Sequence, residues 1–259
     1  MSLRLVDAAS GQAPRPFPEQ LSKGAFLVAV IPTVLTFDDG PHAATKENYT
    51  AAALGTLRER GMKGAFFVQT HVGYRGGSTE GEKLIRRLHE EGHVVGIHTG
   101  SAQDHVRHTV REREGLLGDD LARASKRLEA LGIRPRFVRP VQGVCDAPVL
   151  EQYEEAGLKL VHWDVDSRDS ARGYTPDRIA AHLKESFSKV GAKSHVVVLF
   201  HELDPDTRGQ IVRYIDVMVS AATDAGHSLR FPTTRQEVMA FFEARSDEGV
   251  CLRASQAER

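Results

Sequence analysis

Apolar, β-branched residues fall into short runs along the chain, separated by longer stretches in which apolar positions recur every three or four residues. The short runs are 34–37, 64–68, 94–97, 136–138, 160–163, 196–200 and 227–231. Runs of this length with little alternation predict strands buried on both faces. The stretches between them, 46–60, 80–91, 113–131, 147–156, 176–190, 208–225 and 234–244, carry the helical period. Glycine follows several of these helices where a left-handed cap is expected, at Gly61, Gly92, Gly132, Gly157, Gly191 and Gly226. Strands alternating with helices predict an α/β fold whose parallel sheet is open or closed into a barrel.

The chain has 259 residues, enough for one large domain with a buried core. No linker or internal repeat divides it. Residues 1–24 read as an N-terminal arm, 25–245 as the domain and 246–259 as a polar tail. Hydrophobic residues make up 41% and charged residues 27%, an ordinary globular balance. With a net charge of −1 and a pI near 6.9, there is no basic surplus to hold a phosphate backbone, and no nucleic-acid partner is expected. The longest apolar stretch, 24–37, is broken by Pro32 and too short to span a bilayer. The opening Met1-Ser2-Leu3-Arg4 lacks the apolar core of a secretory signal. Cys145 and Cys251 lie far apart without metal-ligand spacing, so two unpaired thiols are expected, one disulfide being the alternative.

In parallel α/β folds, sites form beyond the carboxyl ends of the strands. Here the predicted strands run into Asp38-Asp39, His98, Arg139, Asp164 through Asp169, and His201-Glu202. Any one of these could be a turn or a structural histidine. Together they contain carboxylate and imidazole ligands, a base and an acid, which is what metal-assisted hydrolysis requires.

These residues also resemble a known family. Thr36-Phe37-Asp38-Asp39-Gly40-Pro41 is similar to the first motif of the NodB-type polysaccharide deacetylases, carbohydrate esterase family 4. His98-Thr99, Arg139-Pro140 with Gly143, Asp164 through Asp169, and Leu199-Phe200-His201 resemble the following motifs in the family's order. The resemblance implies a single-domain distorted (β/α)7 barrel. By position it implies Asp38 as general base, Arg139 as its partner, His201 as general acid and Asp169 as the residue orienting it. It further implies Leu199 against the acetyl methyl, a backbone N–H near Gln142 and Gly143 for the oxyanion, and Asp39 and His98 as metal ligands. The cofactor implied is a divalent metal: zinc, with cobalt, nickel or manganese as alternatives. An extracytoplasmic location is also implied.

The chain departs from this pattern in three places. The family's second motif places two histidines four apart, but position 102 is Ala102 and the next histidine is His105. On a continuous helix seven residues span about 10 Å, too far for two imidazoles that each approach zinc at ~2.1 Å. His105 can therefore complete the set only if residues 100–104 form a loop, with Asp104 capping a helix that carries His105 and His108. Asp104 and His108 are the substitute ligands. Val141 and Gln142 stand where the family has proline and an aromatic residue, and Ser170 where it has tryptophan. The Gly73–Gly77 loop and Glu202 through Pro205 lie on the same rim. His42, His71, His89, His93, His162, His182 and His195 read as surface or neighbouring residues.

The sequence thus predicts a hydrolase that removes an acetyl group from an N-acetylated carbohydrate. The altered groove leaves open a small non-sugar N-acyl substrate, and the displaced histidine leaves open a glycan-binding barrel without catalysis.

Overall fold

The apolar runs fold into parallel strands: β1 (Ala29–Asp38), β2 (Ala65–Gln69), β3 (Val94–Thr99), β4 (Phe137–Val138), β5 (Lys159–Leu160), β6 (Val165–Asp166), β7 (Val196–His201) and β8 (His227–Arg230). The computed structural model describes residues 29–43, 49–201, 210–247 and 251. The predicted arm, the rim residues Glu202 through Pro205 and most of the tail lie outside them. The sheet order is β5-β4-β3-β2-β1-β7-β6, with β8 paired to the first half of β1. Helices α1 (Tyr49–Glu59), α2 (Thr79–Glu90), α3 (His108–Arg113), α4 (Leu117–Ala130), α5 (Ala147–Glu155), α6 (Pro176–Ser188), α7 (Ile211–Asp224) and α8 (Arg235–Glu243) complete the α/β architecture.

Alternation along each strand sorts its side chains. Leu35, Phe37, Phe66, Val68, Val95, Ile97, Val198 and Phe200 join the larger core that includes the helices. Val34, Ala65, Phe67, Val94, Phe137, Val161 and Val197 form a second cluster inside the curled sheet, together with Val238 and Phe242 of α8. Gly96 belongs to this inner layer. A Cβ there would meet the Phe67 ring at 2.7 Å, so glycine makes room for the ring. Helix starts are fixed by side-chain caps, which contribute about 1 kcal/mol each: Ser78 on α2, Asp146 on α5, Thr175 on α6, and a full capping box of Thr234 and Glu237 on α8.

Several expectations are corrected. Among the described residues there are eight strands rather than seven, because the 160–163 run pairs only at its start and the chain resumes pairing as β6. Between them the backbone finds other partners. The Arg139 guanidinium donates to the carbonyls of Val161 and His162, and Asp247 accepts the His162 N–H at 3.1 Å. Backbone groups satisfied in this way need no ladder, and the curled sheet has its seam here.

The predicted 113–131 helix begins only at Leu117, as α4; the separate α3 ends at Arg113, and Gly115, with φ 69°, lies between them. Gly191 is not a left-handed cap but lies in a 3-10 turn against His227. His93 and His162 are core residues, and burial lowers their pKa values to about 3 and about 4. The polar tail is anchored where it is described. Asp247 is buried against Arg245, and Arg245 also reaches Asp164 at 2.7 Å. Cys145 and Cys251 form a disulfide rather than two free thiols. Separation in sequence had hidden the pairing, which the return of the C-terminal segment to the seam creates.

Candidate active site

The inward-facing columns of five strands change from apolar to polar toward their carboxyl ends. On β1 the column is Val34, Thr36, Asp38; on β2 it is Ala65, Phe67, Gln69; on β3 it is Val94, Gly96, His98. On β4 Phe137 leads to Arg139, and on β7 Val197 leads to Leu199 and His201. Register pairs Thr36 with Leu199 and Asp38 with His201.

Arg139 is fully buried and caps the apolar interior, its guanidinium carbon 4.2 Å from the Phe67 ring centroid. Its Nη1 donates to Asp38 at 2.8 Å and to Thr36 at 2.7 Å. All the guanidinium's bonds run to fixed groups, so Asp38 is held in one orientation. Breaking such a buried pair by deleting one partner costs about 3–5 kcal/mol.

His201 is held twice by Asp169, whose carboxylate accepts the ring Nδ1–H and the His201 backbone N–H, both at 2.8 Å. Burial opposes the imidazolium, but the charge and hydrogen bond of Asp169, with Asp39 and Asp38 nearby, win and raise its pKa to about 10. Nδ1 is occupied, which leaves Nε2 as the atom available to a substrate.

Asp39, His98 and His105 meet at one point. Their ligand atoms all lie within 4.8 Å of one another, with the Nε2 atoms of His98 and His105 at 3.2 and 3.4 Å from Asp39 Oδ1. The His98 Nδ1–H donates to the Arg139 carbonyl at 2.9 Å, which fixes Nε2 as the free donor atom. Burial would raise the Asp39 pKa, yet the two histidines beside it pull it well below the carboxylate range. Burial keeps His105 below the ordinary imidazole value, favouring the neutral form a metal needs. Two imidazole nitrogens and one carboxylate oxygen, with the histidines' outer nitrogen or backbone tied down, form a donor set that fits a zinc-like ion.

His105 reaches this point from a loop and not from a helix. The helix begins only at His108, its cap position is Arg107, and no side chain caps it. Asp104 therefore caps nothing and instead bonds Tyr74 and Arg75. His108 is buried with both ring nitrogens engaged, on Tyr153 at 2.5 Å and on the His98 carbonyl at 2.8 Å, so it is no substitute ligand. Among the described residues four that are not glycine have left-handed backbone, Asp39 (φ 70°), His105 (φ 54°), Gln142 (φ 60°) and Arg168 (φ 65°), and all four lie on this rim. Such conformations persist where surroundings over-determine them.

The Gly143 N–H is taken by the Pro140 carbonyl at 2.9 Å, which corrects its expected place among the oxyanion donors and leaves the N–H of Gln142 as the candidate. The Gln142 side chain accepts from Arg107 Nε at 2.5 Å, filling the place of an aromatic ring with a polar contact. Leu199 is buried beside the site. The sequence does not single out Gln69, and it places Arg75 only within the Gly73–Gly77 rim loop. Gln69 is fully buried and touches both Asp39 and His105, and Arg75 bonds the Asp39 carbonyl. The signal for Gln69 was its phase, two residues beyond Phe67 at a strand end.

The profile of polysaccharide deacetylases matches residues 31–161, half of the chain. The chain belongs to the polysaccharide deacetylase family. It is 31% identical over 208 residues to a chitooligosaccharide deacetylase from Bradyrhizobium sp., covering 75% of this chain and 86% of that one. It is 29% identical over 181 residues to the peptidoglycan-N-acetylglucosamine deacetylase PgdA of Listeria monocytogenes, covering 68% of this chain but 34% of that longer protein. The fold resembles a Bacillus cereus polysaccharide deacetylase (TM-score 0.61, 24% identity, 80% and 93% of the two chains). It also resembles the chitin deacetylase of Colletotrichum lindemuthianum (TM-score 0.63, 20% identity, 77% and 84%). This polysaccharide deacetylase therefore has the family's curled parallel sheet, with the Asp39, His98 and His105 cluster at its rim.

Proposed function

We propose that this polysaccharide deacetylase hydrolyses the acetamide of an N-acetylated carbohydrate, releasing acetate and a free amine. The observation that carries this reading is the convergence of a three-atom donor set with an anchored carboxylate, Asp38, and an anchored imidazole, His201. Asp39, His98 and His105 would hold one divalent ion, zinc by donor type, with cobalt, nickel or manganese as substitutes. When bound, such an ion supplies Lewis acidity toward the acyl carbonyl and toward water. Asp38, oriented by Arg139, takes the proton of the attacking water. The backbone N–H of Gln142 donates to the developing oxyanion. His201, protonated and oriented through Nδ1 by Asp169, delivers its Nε2 proton to the departing amine. Leu199 packs against the acetyl methyl.

The relatives named as chitooligosaccharide and peptidoglycan N-acetylglucosamine deacetylases support a sugar substrate. The Tyr74 ring, 62% exposed and joined through its hydroxyl to Asp104, offers an aromatic face on the rim. A second reading, a small non-sugar N-acyl substrate, is favoured by Gln142 and Ser170 standing where ring-binding aromatics were expected. Acetate release after chelation and zinc re-addition, from chito-oligosaccharides set against small N-acetyl amines, tests both. Release from the oligosaccharides alone removes the second reading, and release from the amines alone removes the first. No release under any metal, with glycan still bound, would leave a binding barrel. The Cys145–Cys251 disulfide supports an extracytoplasmic compartment, where such bonds persist.

A further inference from the structure

The second histidine of this site does not come from a helical turn, so something else must hold it. We propose that Gln69 and the Arg75–Asp104 pair are positioning residues that present Asp39 and His105 to the same ion. The proposal rests on the reading of Asp39, His98 and His105 as the ligand set.

Asp39 and His105 are the two members of that set with left-handed backbone. His98, near the end of β3 where the pairing with β2 shifts register, is aimed through its Nδ1 by the Arg139 carbonyl. Gln69 links the other two directly. Its backbone N–H donates to the Gly40 carbonyl at 2.8 Å, its Nε2 donates to Asp39 Oδ1 at 3.3 Å, and its Oε1 accepts the His105 N–H at 3.2 Å. A primary amide is the neutral side chain that offers a donor and an acceptor at this reach. Glutamate would lose the donor toward Asp39, and methionine would lose both bonds while keeping the volume.

Arg75 supplies the second link. It is 8% exposed, its Nη1 donates to the Asp39 carbonyl, and its Nη2 lies 3.1 Å from the Asp104 carboxylate. That carboxylate also accepts from the Tyr74 hydroxyl, and it belongs to the residue immediately before His105. One buried fork therefore ties the backbone of one ligand to the loop carrying the other. Groups behind metal ligands act by fixing ligand orientation, so their loss weakens metal binding while the ligands remain.

The test compares Gln69→Met, Gln69→Glu, Arg75→Lys and Asp104→Asn with His105→Ala. Zinc affinity is read by competition with a chromogenic chelator, ligand geometry by the visible spectrum of the cobalt form, and folding by the urea midpoint of the metal-free protein. Each positioning variant is expected to bind zinc ~10–100-fold more weakly and to show an altered cobalt spectrum. The metal-free midpoint of Asp104→Asn, at a partly exposed position, should stay near that of the parent. Adding Asp104→Asn to His105→Ala should cost little further affinity, because the effect runs through His105. Parent-like affinity and spectra in these variants, with zinc lost in His105→Ala, would overturn the proposal. So would weakening in Asp104→Asn but not in Arg75→Lys, which would make Asp104 a ligand itself. If His105→Ala binds zinc as the parent does, the ligand set is wrong and the proposal falls with it.

Discussion

The backbone carbonyl of Arg139 accepts the His98 Nδ1–H at 2.9 Å, while the guanidinium of the same residue holds Asp38 at 2.8 Å. One residue thus sets the direction of the proposed ligand His98 and of the proposed base Asp38. Its two roles separate by mutation. Arg139→Met leaves the carbonyl but abandons a buried carboxylate, and should lower stability by about 3–5 kcal/mol. Urea denaturation checks the loss; a change under about 1 kcal/mol would mean that Asp38 finds other partners.

Asp38→Asn keeps a hydrogen-bond acceptor for Arg139 and removes the base. We expect kcat to fall ~10²–10⁴-fold with zinc stoichiometry unchanged, because Asp39, His98 and His105 are untouched. Full activity in this variant would remove Asp38 from the mechanism.

His201 is protonated below about pH 10 through its contact with Asp169. A raised pKa means that the charged form, and the stability its contact contributes, is complete below the ordinary histidine value and is lost as pH rises toward 10. A divalent ion held by Asp39 would offset part of that field and so place the limb of the loaded enzyme lower. Asp169→Asn withdraws the main favourable partner and should move the alkaline limb of kcat/KM to lower pH. An unmoved limb would show that another group sets it.

His108 supports His98 from behind, with its two ring nitrogens on Tyr153 and the His98 carbonyl. His108→Ala should cost about 2–4 kcal/mol through the cavity and the unpaired polar groups, while the protein still binds one zinc per chain. Zinc loss with unchanged stability would reinstate His108 as a ligand.

The Cys145–Cys251 bond closes a loop across a separation of 106 residues and pins the C-terminal segment at the seam. Replacing both cysteines with serine should lower stability by about 2–5 kcal/mol, read by urea denaturation. An unchanged midpoint would mean that Arg245 and Asp247 hold the segment unaided.

Much of this protein is legible in its sequence because parallel strands buried on both faces read as uninterrupted apolar runs, and their carboxyl ends define one rim. From this follow the α/β class, the alternation and the polar residues at the ends of β1, β3, β4 and β7. Asp38, Asp39, His98, Arg139 and His201 sit on or directly beyond strands, where backbone geometry fixes their direction. The remaining decisions depended on contacts between distant segments. No local pattern says that His105 meets Asp39, because its backbone is bonded by Gln69 from another strand and the preceding Asp104 by Arg75 from another loop. The split of the fifth strand depends on Arg139 and Asp247 satisfying the backbone between its halves. The disulfide depends on where residue 251 returns. Local propensity and periodicity describe a segment alone, whereas ligand convergence, seams and cross-links are properties of segments brought together by packing.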